Sequence, residues 1–228
     1  MKRIPVSSIP DLPDSLQDFV RSASLYDSSC SGTARVWFAD TEQVYIKTAA
    51  AGTLQEEAQM NAFFHSRGIG PQVLAYLTGQ RDWMVTRAIP GEDCIHPVYL
   101  NDPGRLSELL GLLLRRLHET DIQSCPLPCR AAPWGDITTG ANGSGTGVLI
   151  HGDYCLPNIM LDNWNFSGFL DVGAGGIGDR HMDLYWGCWS LQHNLKDNRW
   201  CSRFLDAYGR DLVDPEKLHL ISVLESRK

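Results

Sequence analysis

The order of sequence patterns along the chain predicts an α+β fold in two lobes. Alternating and β-branched stretches typical of strands dominate residues 1–89, where a single helical pattern occurs. Residues 90–228 carry mainly helical patterns with a few short strands. Strands followed by helices, without a regular alternation of the two, are typical of α+β folds. The pair Pro90-Gly91 interrupts the patterns and marks the predicted boundary between the lobes.

The predicted strands of the first lobe come in two pairs, 35–38 with 43–47 and 73–76 with 83–86. Between these pairs, Leu54 to His65 has apolar side chains at helical spacing. Gly68 and Gly70 follow, and glycine is common just beyond the C-terminal end of a helix. The first lobe is therefore predicted to be an antiparallel sheet with one helix.

In the second lobe, Asp102 followed by Pro103 indicates the start of a leucine-rich helix that runs to about His118. The glycine-rich stretch 140–147 predicts a loop. Further along, the patterns predict a strand at 148–150, a hairpin from 158–161 and 167–172, and helices from residue 179 onward, the last beginning at Asp214-Pro215.

Composition and charge exclude several classes of partner. The chain has 228 residues and a formal net charge of −7, and no run of Lys and Arg is long enough to follow a nucleic-acid backbone. A membrane span needs about 18 consecutive apolar residues, and every apolar run in this sequence is much shorter. We therefore expect neither nucleic acid nor a membrane as partner. The expected partner is a small molecule, and the expected oligomeric state is a monomer or weak dimer.

Seven cysteines are present, and none of them forms a CxxC pair. An odd number without such pairs argues against a zinc site and against a disulfide framework. The start Met1-Lys2-Arg3 is followed by Pro5 and not by an apolar signal-peptide core. We expect reduced thiols and a cytoplasmic location.

The strongest chemical signal is the string His151-Gly152-Asp153-Tyr154-Cys155-Leu156-Pro157-Asn158, followed by Asp171. An Asp, an Asn five residues later and a further Asp reproduce the spacing of a kinase catalytic loop and its metal-binding strand. Phosphoryl transfer from ATP needs alignment and charge neutralisation more than covalent help. Asp153 would accept the proton of the attacking hydroxyl, and Asn158 and Asp171 would hold Mg²⁺ through oxygen atoms.

A second signal is Lys47 at the end of a predicted strand, with Glu57 in the helix that follows. In kinases such a pair holds the lysine ammonium on the α- and β-phosphates of ATP. Taken alone, a strand lysine and a helix carboxylate are more often two solvated surface residues. The motif around Asp153 supports the interpretation of Lys47 and Glu57 as such a kinase pair.

The chain resembles the aminoglycoside 3′-phosphotransferase family of antibiotic kinases over nearly its full length. The matching elements are Tyr45-Ile46-Lys47, Glu57-Ala58, Gly70-Pro71-Gln72-Val73-Leu74, Leu117-His118, the string from His151 to Asn158, Asp171, Gly178-Asp179-Arg180 with Asp183-Leu184, and Asp214-Pro215-Glu216-Lys217. The resemblance implies a protein-kinase-like fold with a nucleotide-binding lobe at 1–89 and a catalytic and substrate lobe at 90–228. It implies ATP and Mg²⁺ as cofactors and a cationic aminoglycoside as acceptor, phosphorylated at its 3′-hydroxyl.

The resemblance also implies residue roles. Asp153 is the catalytic base, Asn158 and Asp171 are metal ligands, and Lys47 held by Glu57 contacts ATP. The other implied roles are a loop over the phosphates near Ser31, adenine contacts from the backbone of Ala88 and Ile89, and a buried carboxylate at Asp183 that braces the catalytic loop.

The chain differs from the family in the segments that bind the acceptor. Family members carry a longer helical segment between the positions that match Cys125 and His151, and its carboxylates help hold the drug. Here that segment is short and rich in glycine. Asp136 and Glu225 are the substrate-site candidates that remain. Two alternatives therefore stay open: another small alcohol as acceptor, or ATP binding with little turnover.

One rival motif points to a different class of protein. The run from Gly173 to Gly178 matches GxGxxG, the dinucleotide-binding fingerprint, and follows a predicted strand. That fingerprint requires a βαβ unit with an acidic residue after its second strand. No second strand is predicted after the helix that follows, so a nucleotide-dependent oxidoreductase is the weaker hypothesis.

Overall fold

The computed structural model describes residues 3–30, 32–127, 129–130 and 147–226. It divides into two units, Met1–Pro90 and Gly91–Lys228. The division falls at the Pro90-Gly91 pair. Strands prevail in the first unit and helices in the second, so the predicted α+β class is confirmed.

The first unit contains a six-stranded antiparallel sheet in the order β1-β2-β3-β4-β6-β5. Its strands are β1 Ile4–Val6, β2 Leu25–Asp27, β3 Ala34–Ala39, β4 Val44–Ala50, β5 Val73–Leu77 and β6 Arg81–Arg87. A 3₁₀ turn at Asp14–Phe19 precedes β2, and the helix α1, Gln55–Ser66, follows β4. Both predicted strand pairs are present, while β1 and β2 carried no pattern clear enough to be predicted.

Side-chain alternation along β4 separates the two faces of this sheet. Val44 and Ile46 are buried in one core cluster with Trp37, Trp83 and Val85. The rings of Trp37 and Trp83 stack with centroids 6.2 Å apart. Burying such side chains removes apolar surface from water, at about 1.5–3 kcal/mol for each aliphatic side chain. Because successive strand residues point to opposite faces, Lys47 lies on the other face, beside the helix α1.

The N-terminal end of α1 is capped by a residue from a distant strand. Leu54 precedes the helix and offers no capping side chain. Asp82, fully buried in β6, accepts the backbone N–H of Leu54 at 3.0 Å and the hydroxyl of Tyr76 at 3.1 Å. A carboxylate at this end also opposes the positive end of the helix dipole. Asp82 thereby fixes where the helix that carries Glu57 begins.

The second unit contains five helices among its described residues: α2 Pro97–Leu100, α3 Pro103–His118, α4 His181–Leu195, α5 Arg199–Tyr208 and α6 Pro215–Glu225. Its strands are β7 Glu92–Asp93, β8 Val148–Ile150, β9 Ile159–Asp162, β10 Asn165–Phe169 and β11 Gly176–Gly178. They form a three-stranded sheet, β10-β9-β7, and the pair β11-β8. Of all helices in the part of the chain described, none has the length and apolar character that crossing a membrane requires.

Two predicted helix starts are confirmed by capping hydrogen bonds. Asp102 accepts the backbone N–H of Arg105 at 3.1 Å, and Pro103 occupies the first turn of α3. Asp214 accepts the backbone N–H of Glu216 at 2.9 Å and begins α6 in the same way. These bonds satisfy N–H groups that have no partner inside a helix.

The helices α3 and α5 cross at a point where no side chain fits. A Cβ atom at Gly111 would lie 2.4 Å from the carbonyl oxygen of Phe204 and 2.8 Å from Cβ of Ala207. Leu106, Leu110 and Leu114 line the buried side of α3. The close approach joins α5, which carries Tyr208, to α3, which carries His118.

The expectation of seven reduced thiols is wrong for one pair. Cys188 in α4 and Cys201 in α5 form a disulfide bond. Counting cysteines missed it because the bond depends on the contact of two helices and not on a CxxC spacing. Cys94 is buried, and burial raises the pKa of its thiol well above the usual range.

We expect the double substitution Cys188→Ser with Cys201→Ser to lower the free energy of unfolding. The bond closes a loop across a separation of 13 residues, and a loop of that size predicts about 3 kcal/mol from the entropy of the unfolded chain. Urea titration of the wild type with and without reductant measures the same difference independently. Coincident curves for the oxidised wild type and the double variant would contradict the prediction.

Candidate active site

The loop after β8 presents Asp153 beside Asn158. The amide nitrogen of Asn158 donates to the carboxylate of Asp153 at 2.8 Å and to its backbone oxygen at 3.0 Å. Asp153 is half-buried, whereas Asn158 is almost fully buried. Because the amide nitrogen is used in these two bonds, the amide oxygen of Asn158 remains available as a ligand.

A fully buried carboxylate in α4 braces this loop. Asp183 accepts the backbone N–H of His151 at 2.7 Å through Oδ2 and that of Gly152 at 2.8 Å through Oδ1. Gly152 has a φ of 82°, which favours glycine. A Cβ atom there would also lie 2.2 Å from the carbonyl oxygen of Ala174. The backbone that leads into Asp153 is thus held from two sides.

Asp183 is itself positioned by a buried histidine. Nε2 of His118 lies 3.2 Å from Oδ2 of Asp183, and Nδ1 lies 2.8 Å from the hydroxyl of Tyr208. Burial lowers the pKa of His118, although Asp183 raises it in part. A neutral ring that donates from Nε2 and accepts from Tyr208 satisfies all three groups. α3, α4 and α5 therefore act together on the loop that carries Asp153.

The ring of His151 is buried and is influenced by the charges of three carboxylates. Burial lowers its pKa, and the charges of Asp183, Asp153 and Asp171 act in the opposite direction. Its Nδ1 accepts the backbone N–H of Asp153 at 3.3 Å. The carboxylates that the sequence motif separates therefore act electrostatically on one buried imidazole.

Asp171 follows β10 in a left-handed conformation, with φ of 53°, and its side chain is exposed. The backbone N–H of Leu170 donates to the carbonyl of Asn158 at 2.8 Å, so the two predicted metal ligands lie on neighbouring chain segments. Across the described residues, no three His, Cys, Asp or Glu side chains converge as a metal site. One carboxylate and one amide oxygen fit Mg²⁺, which usually takes few protein ligands and completes its shell with water and phosphate oxygens.

The first unit contains the predicted lysine–glutamate pair. Nζ of Lys47 lies 2.7 Å from Oε1 and 2.8 Å from Oε2 of Glu57. The side chains are 18% and 11% exposed, respectively. Partial burial strengthens such a contact relative to a solvated surface pair. The interpretation as two independent surface residues is therefore wrong, while the contact with nucleotide remains a prediction.

The backbone predicted to contact adenine is available only in part. The N–H of Ala88 donates to the carbonyl of Gln43 at 2.8 Å. This donor is needed to continue the pairing of β6 with β4, so it cannot also serve adenine. The carbonyl of Ala88 and the backbone of Ile89 remain as candidates.

The remaining predicted site residues divide into two groups. Ser31 and Asp136 lie outside the described residues, as does most of the glycine-rich stretch 140–147. Glu225 is half-buried at the end of α6, and its charge contributes to raising the pKa of Tyr185 in α4, after burial as the larger cause. Its predicted role in substrate binding stays a prediction.

The GxGxxG run does not form a dinucleotide fingerprint. Its first residues form a 3₁₀ turn, and Gly176–Gly178 is β11, which pairs antiparallel with β8. The helix α4 begins only at His181, after the run has ended. A dinucleotide site needs the run to open a helix that returns to a parallel strand, so the oxidoreductase hypothesis has no structural support.

Sequence reasoning missed some of the residues that position these groups. Asp82 and Tyr208 lie in unremarkable sequence surroundings, and only their contacts reveal a role. Asp179 is a further case. Burial favours its neutral form, but hydrogen bonds from His181 and Lys217 outweigh this and hold the pKa of the carboxyl well below its usual range. The resulting ion pair, at 2.6 Å, ties α6 to the start of α4.

The antiparallel sheet with one helix, the helical second unit and the braced Asp153 loop define a phosphotransferase with a kinase-like fold. A profile of the phosphotransferase enzyme family matches residues 32–140 and 134–221. The chain belongs to this phosphotransferase enzyme family. A probable aminoglycoside 3′-phosphotransferase of Lactococcus lactis subsp. lactis is 36% identical over 250 aligned positions, which cover 96% of this chain and 95% of that relative.

Other relatives agree with this assignment. A streptomycin 3″-kinase of Streptomyces griseus is 30% identical and covers 76% of this chain and 79% of its own length. Among solved structures, an aminoglycoside phosphotransferase from Streptomyces rimosus has a TM-score of 0.69 at 22% identity, covering 90% of this chain and 94% of that chain. An aminoglycoside-3′-phosphotransferase of type VIII has a TM-score of 0.66 at 23% identity, covering 85% and 88%. The predicted kinase-like fold is confirmed.

The comparisons also bear on the short segment before β8. The Lactococcus alignment spans 250 positions but includes 96% of the 228 residues of this chain, about 219, so about 31 positions of the alignment are gaps in this chain. The two profile matches share residues 134–140. A break in the match at this place agrees with a segment shorter than in the relatives.

Proposed function

We propose that this protein transfers the γ-phosphoryl group of ATP to the 3′-hydroxyl of an aminoglycoside antibiotic and so confers resistance. The 36% identity to a probable aminoglycoside 3′-phosphotransferase across 96% of the chain is the observation that carries the proposal. A solved structure of similar fold, with a TM-score of 0.62, is a complex with ADP and streptomycin. Because the reaction consumes ATP, we propose the cytoplasm as its location.

The proposed chemistry assigns a task to each group of the loop. Asp153 accepts the proton of the acceptor hydroxyl and aims its oxygen, and the bond from Asn158 holds the carboxylate in one orientation. Asn158 and Asp171 would hold Mg²⁺, which neutralises charge on the phosphates when bound. Asp183 keeps the loop backbone in place through two hydrogen bonds.

For the nucleotide, we propose that Lys47 donates to phosphate oxygens while Glu57 holds its ammonium. The predicted phosphate loop near Ser31 and the backbone of Ala88 and Ile89 complete this assignment. For the acceptor, Asp136 and Glu225 are the proposed carboxylates. A net charge of −7 favours a polycationic substrate, though only weakly.

The test is a coupled assay of ADP release with a panel of acceptors. We expect Mg²⁺-dependent turnover with kanamycin or neomycin, and none with a kanamycin analogue that lacks the 3′-hydroxyl. Mass spectrometry of the product should show one added phosphoryl group. Equal turnover of kanamycin and its 3′-deoxy analogue would contradict the proposed position of transfer.

The shortened segment favours two competing functions: phosphoryl transfer to another small alcohol, and ATP binding with little turnover. Isothermal titration with Mg·ADP tests the nucleotide binding that both require, and ADP release with other alcohols as acceptors separates the two. Nucleotide binding without turnover on any aminoglycoside, streptomycin included, would overturn the proposed acceptor and keep the phosphotransferase class.

We expect Lys47→Met to weaken ATP binding with little change in the affinity for the acceptor. A charge-assisted hydrogen bond contributes about 1.5–3 kcal/mol, or about 10- to 100-fold in affinity. The measurement is the KM for ATP at saturating acceptor. Arg21→Met is the matched control in the first unit, since the Arg21–Asp18 pair is 77% and 81% exposed. An unchanged KM for ATP would contradict the assignment.

A further inference from the structure

A half-buried arginine, Arg130, is hydrogen-bonded to the loop that follows Asp171. Nε of Arg130 donates to the carbonyl of Gly175 at 2.7 Å, and Nη2 donates to the carbonyl of Gly173 at 2.8 Å. A guanidinium presents its N–H groups in a planar fork, which suits two carbonyls close together in a turn. The two bonds therefore fix the loop on both sides of Ala174.

The backbone of the same segment is attached to the same loop. The N–H of Arg130 donates to the carbonyl of Ile177 at 2.8 Å, and the N–H of Ile177 donates to the carbonyl of Leu127 at 2.9 Å. A Cβ atom at Gly176 would lie 3.0 Å from Cγ of Arg130 and 2.9 Å from the carbonyl oxygen of Leu127. The glycine thus lets the arginine side chain cross the loop closely.

The loop that Arg130 binds adjoins both parts of the proposed active site, Asp171 and the Asp153 loop. Its 3₁₀ turn, Val172–Ala174, begins directly at Asp171, whose left-handed backbone conformation is strained for a residue with a side chain. At its other end, Ala174 packs on Gly152, next to Asp153. A shift of this turn would move Asp171 and remove the support of Gly152 together.

We propose that Arg130 is a positioning residue that fixes Asp171 and the Asp153 loop relative to each other. Metal affinity and turnover both depend on this relative position. This inference rests on the proposed function for Asp171 as a metal ligand and for its kinetic part, but not for the acceptor, since metal binding requires none. Partners that orient metal ligands typically change affinity or activity by about 10- to 100-fold when they are removed.

The test compares Arg130→Met, Arg130→Lys and the control Arg116→Met, which removes an exposed cation from α3. Binding of Mn²⁺ in the presence of ADP is followed by electron paramagnetic resonance, and melting temperatures establish that each variant is folded. We expect Arg130→Met to bind Mn²⁺ about 10-fold more weakly. We expect its kcat to fall about 10- to 100-fold, with the KM for the acceptor within about twofold of wild type. Arg130→Lys keeps the charge but not the fork, so it should recover the loss only in part.

A purely structural role of Arg130 would lower the melting temperature of Arg130→Met. It would leave Mn²⁺ affinity and kcat unchanged at temperatures where the variant is folded, and that result overturns the proposal. An equal loss in Arg116→Met overturns it as well. If Arg130→Met is unfolded at the assay temperature, Arg130→Lys takes its place in the comparison. A Mn²⁺ affinity of Arg130→Lys equal to that of wild type then overturns the proposal. A wild type that binds Mn²⁺ and ADP but phosphorylates no aminoglycoside would count against the proposed acceptor, while the Mn²⁺ comparison would still test Arg130.

Discussion

Asp153→Asn should remove nearly all turnover while nucleotide binding persists. The substitution keeps the size of the side chain but removes the proton acceptor that the proposed reaction requires. General base catalysis contributes about 10²–10⁴ in rate. The new amide also weakens alignment, because its nitrogen can face the donating nitrogen of Asn158 at 2.8 Å. Single-turnover measurements with saturating ATP and acceptor would give the loss in the chemical step directly.

The control for this prediction is Asp162→Asn, which changes an exposed aspartate at the end of β9 in the same unit. Its kcat should remain within about twofold of wild type, since surface substitutions away from special features have small effects. Calorimetry with Mg·ADP should give similar affinities for wild type and Asp153→Asn. A kcat of Asp153→Asn within tenfold of wild type would reject Asp153 as the base.

Asp183→Ala should reduce both stability and turnover. The carboxylate is fully buried and accepts three hydrogen bonds, from His151, Gly152 and His118. Each buried donor left without a partner costs about 1–3 kcal/mol, so the free energy of unfolding should fall by at least about 3 kcal/mol. The backbone before Asp153 also loses its brace, and a displacement of about 1 Å can cost about 10²-fold in rate.

The two effects of Asp183→Ala can be separated by temperature. Denaturant titration gives the loss of stability, and kcat is then measured where the variant remains folded. Asp206→Ala is the control, because Asp206 on α5 and its partner Arg210, just beyond the helix, are 61% and 50% exposed and the pair should contribute little. A folded Asp183→Ala variant with kcat within twofold of wild type would show that the loop needs no such brace.

Much of the fold followed from local patterns. The alternation in β4 and the capping pairs at Asp102 and Asp214 depend on residues within a few positions of each other, and the structure places these elements within about three residues of their predicted bounds. β1 and β2 were missed because each has only 3 residues and lacks the continuous apolar run that made the equally short β8 recognisable. The pairing of β2 is decided by the neighbouring β3, and that of β1 by β2.

The active-site prediction had a similar division. The spacing of Asp153, Asn158 and Asp171 identified the groups, and the structure brings the first two into hydrogen-bonding contact. The availability of Ala88 could not be predicted, because its N–H is taken by Gln43, 45 positions earlier in the chain. Whether a backbone donor is free depends on which strand lies beside it.

The sequence by itself determined the phosphotransferase family, the α+β class and the identity of the chemical groups, since each depends on residue type and on short spacings. Only the tertiary structure decided what holds those groups: Asp82 capping a helix 28 residues away, His118 joining Asp183 across 65 residues, the Cys188–Cys201 bond and the grip of Arg130. Such contacts arise where elements distant in sequence pack together. A buried polar group pairs with whichever partner that packing brings within reach, and no local pattern records this.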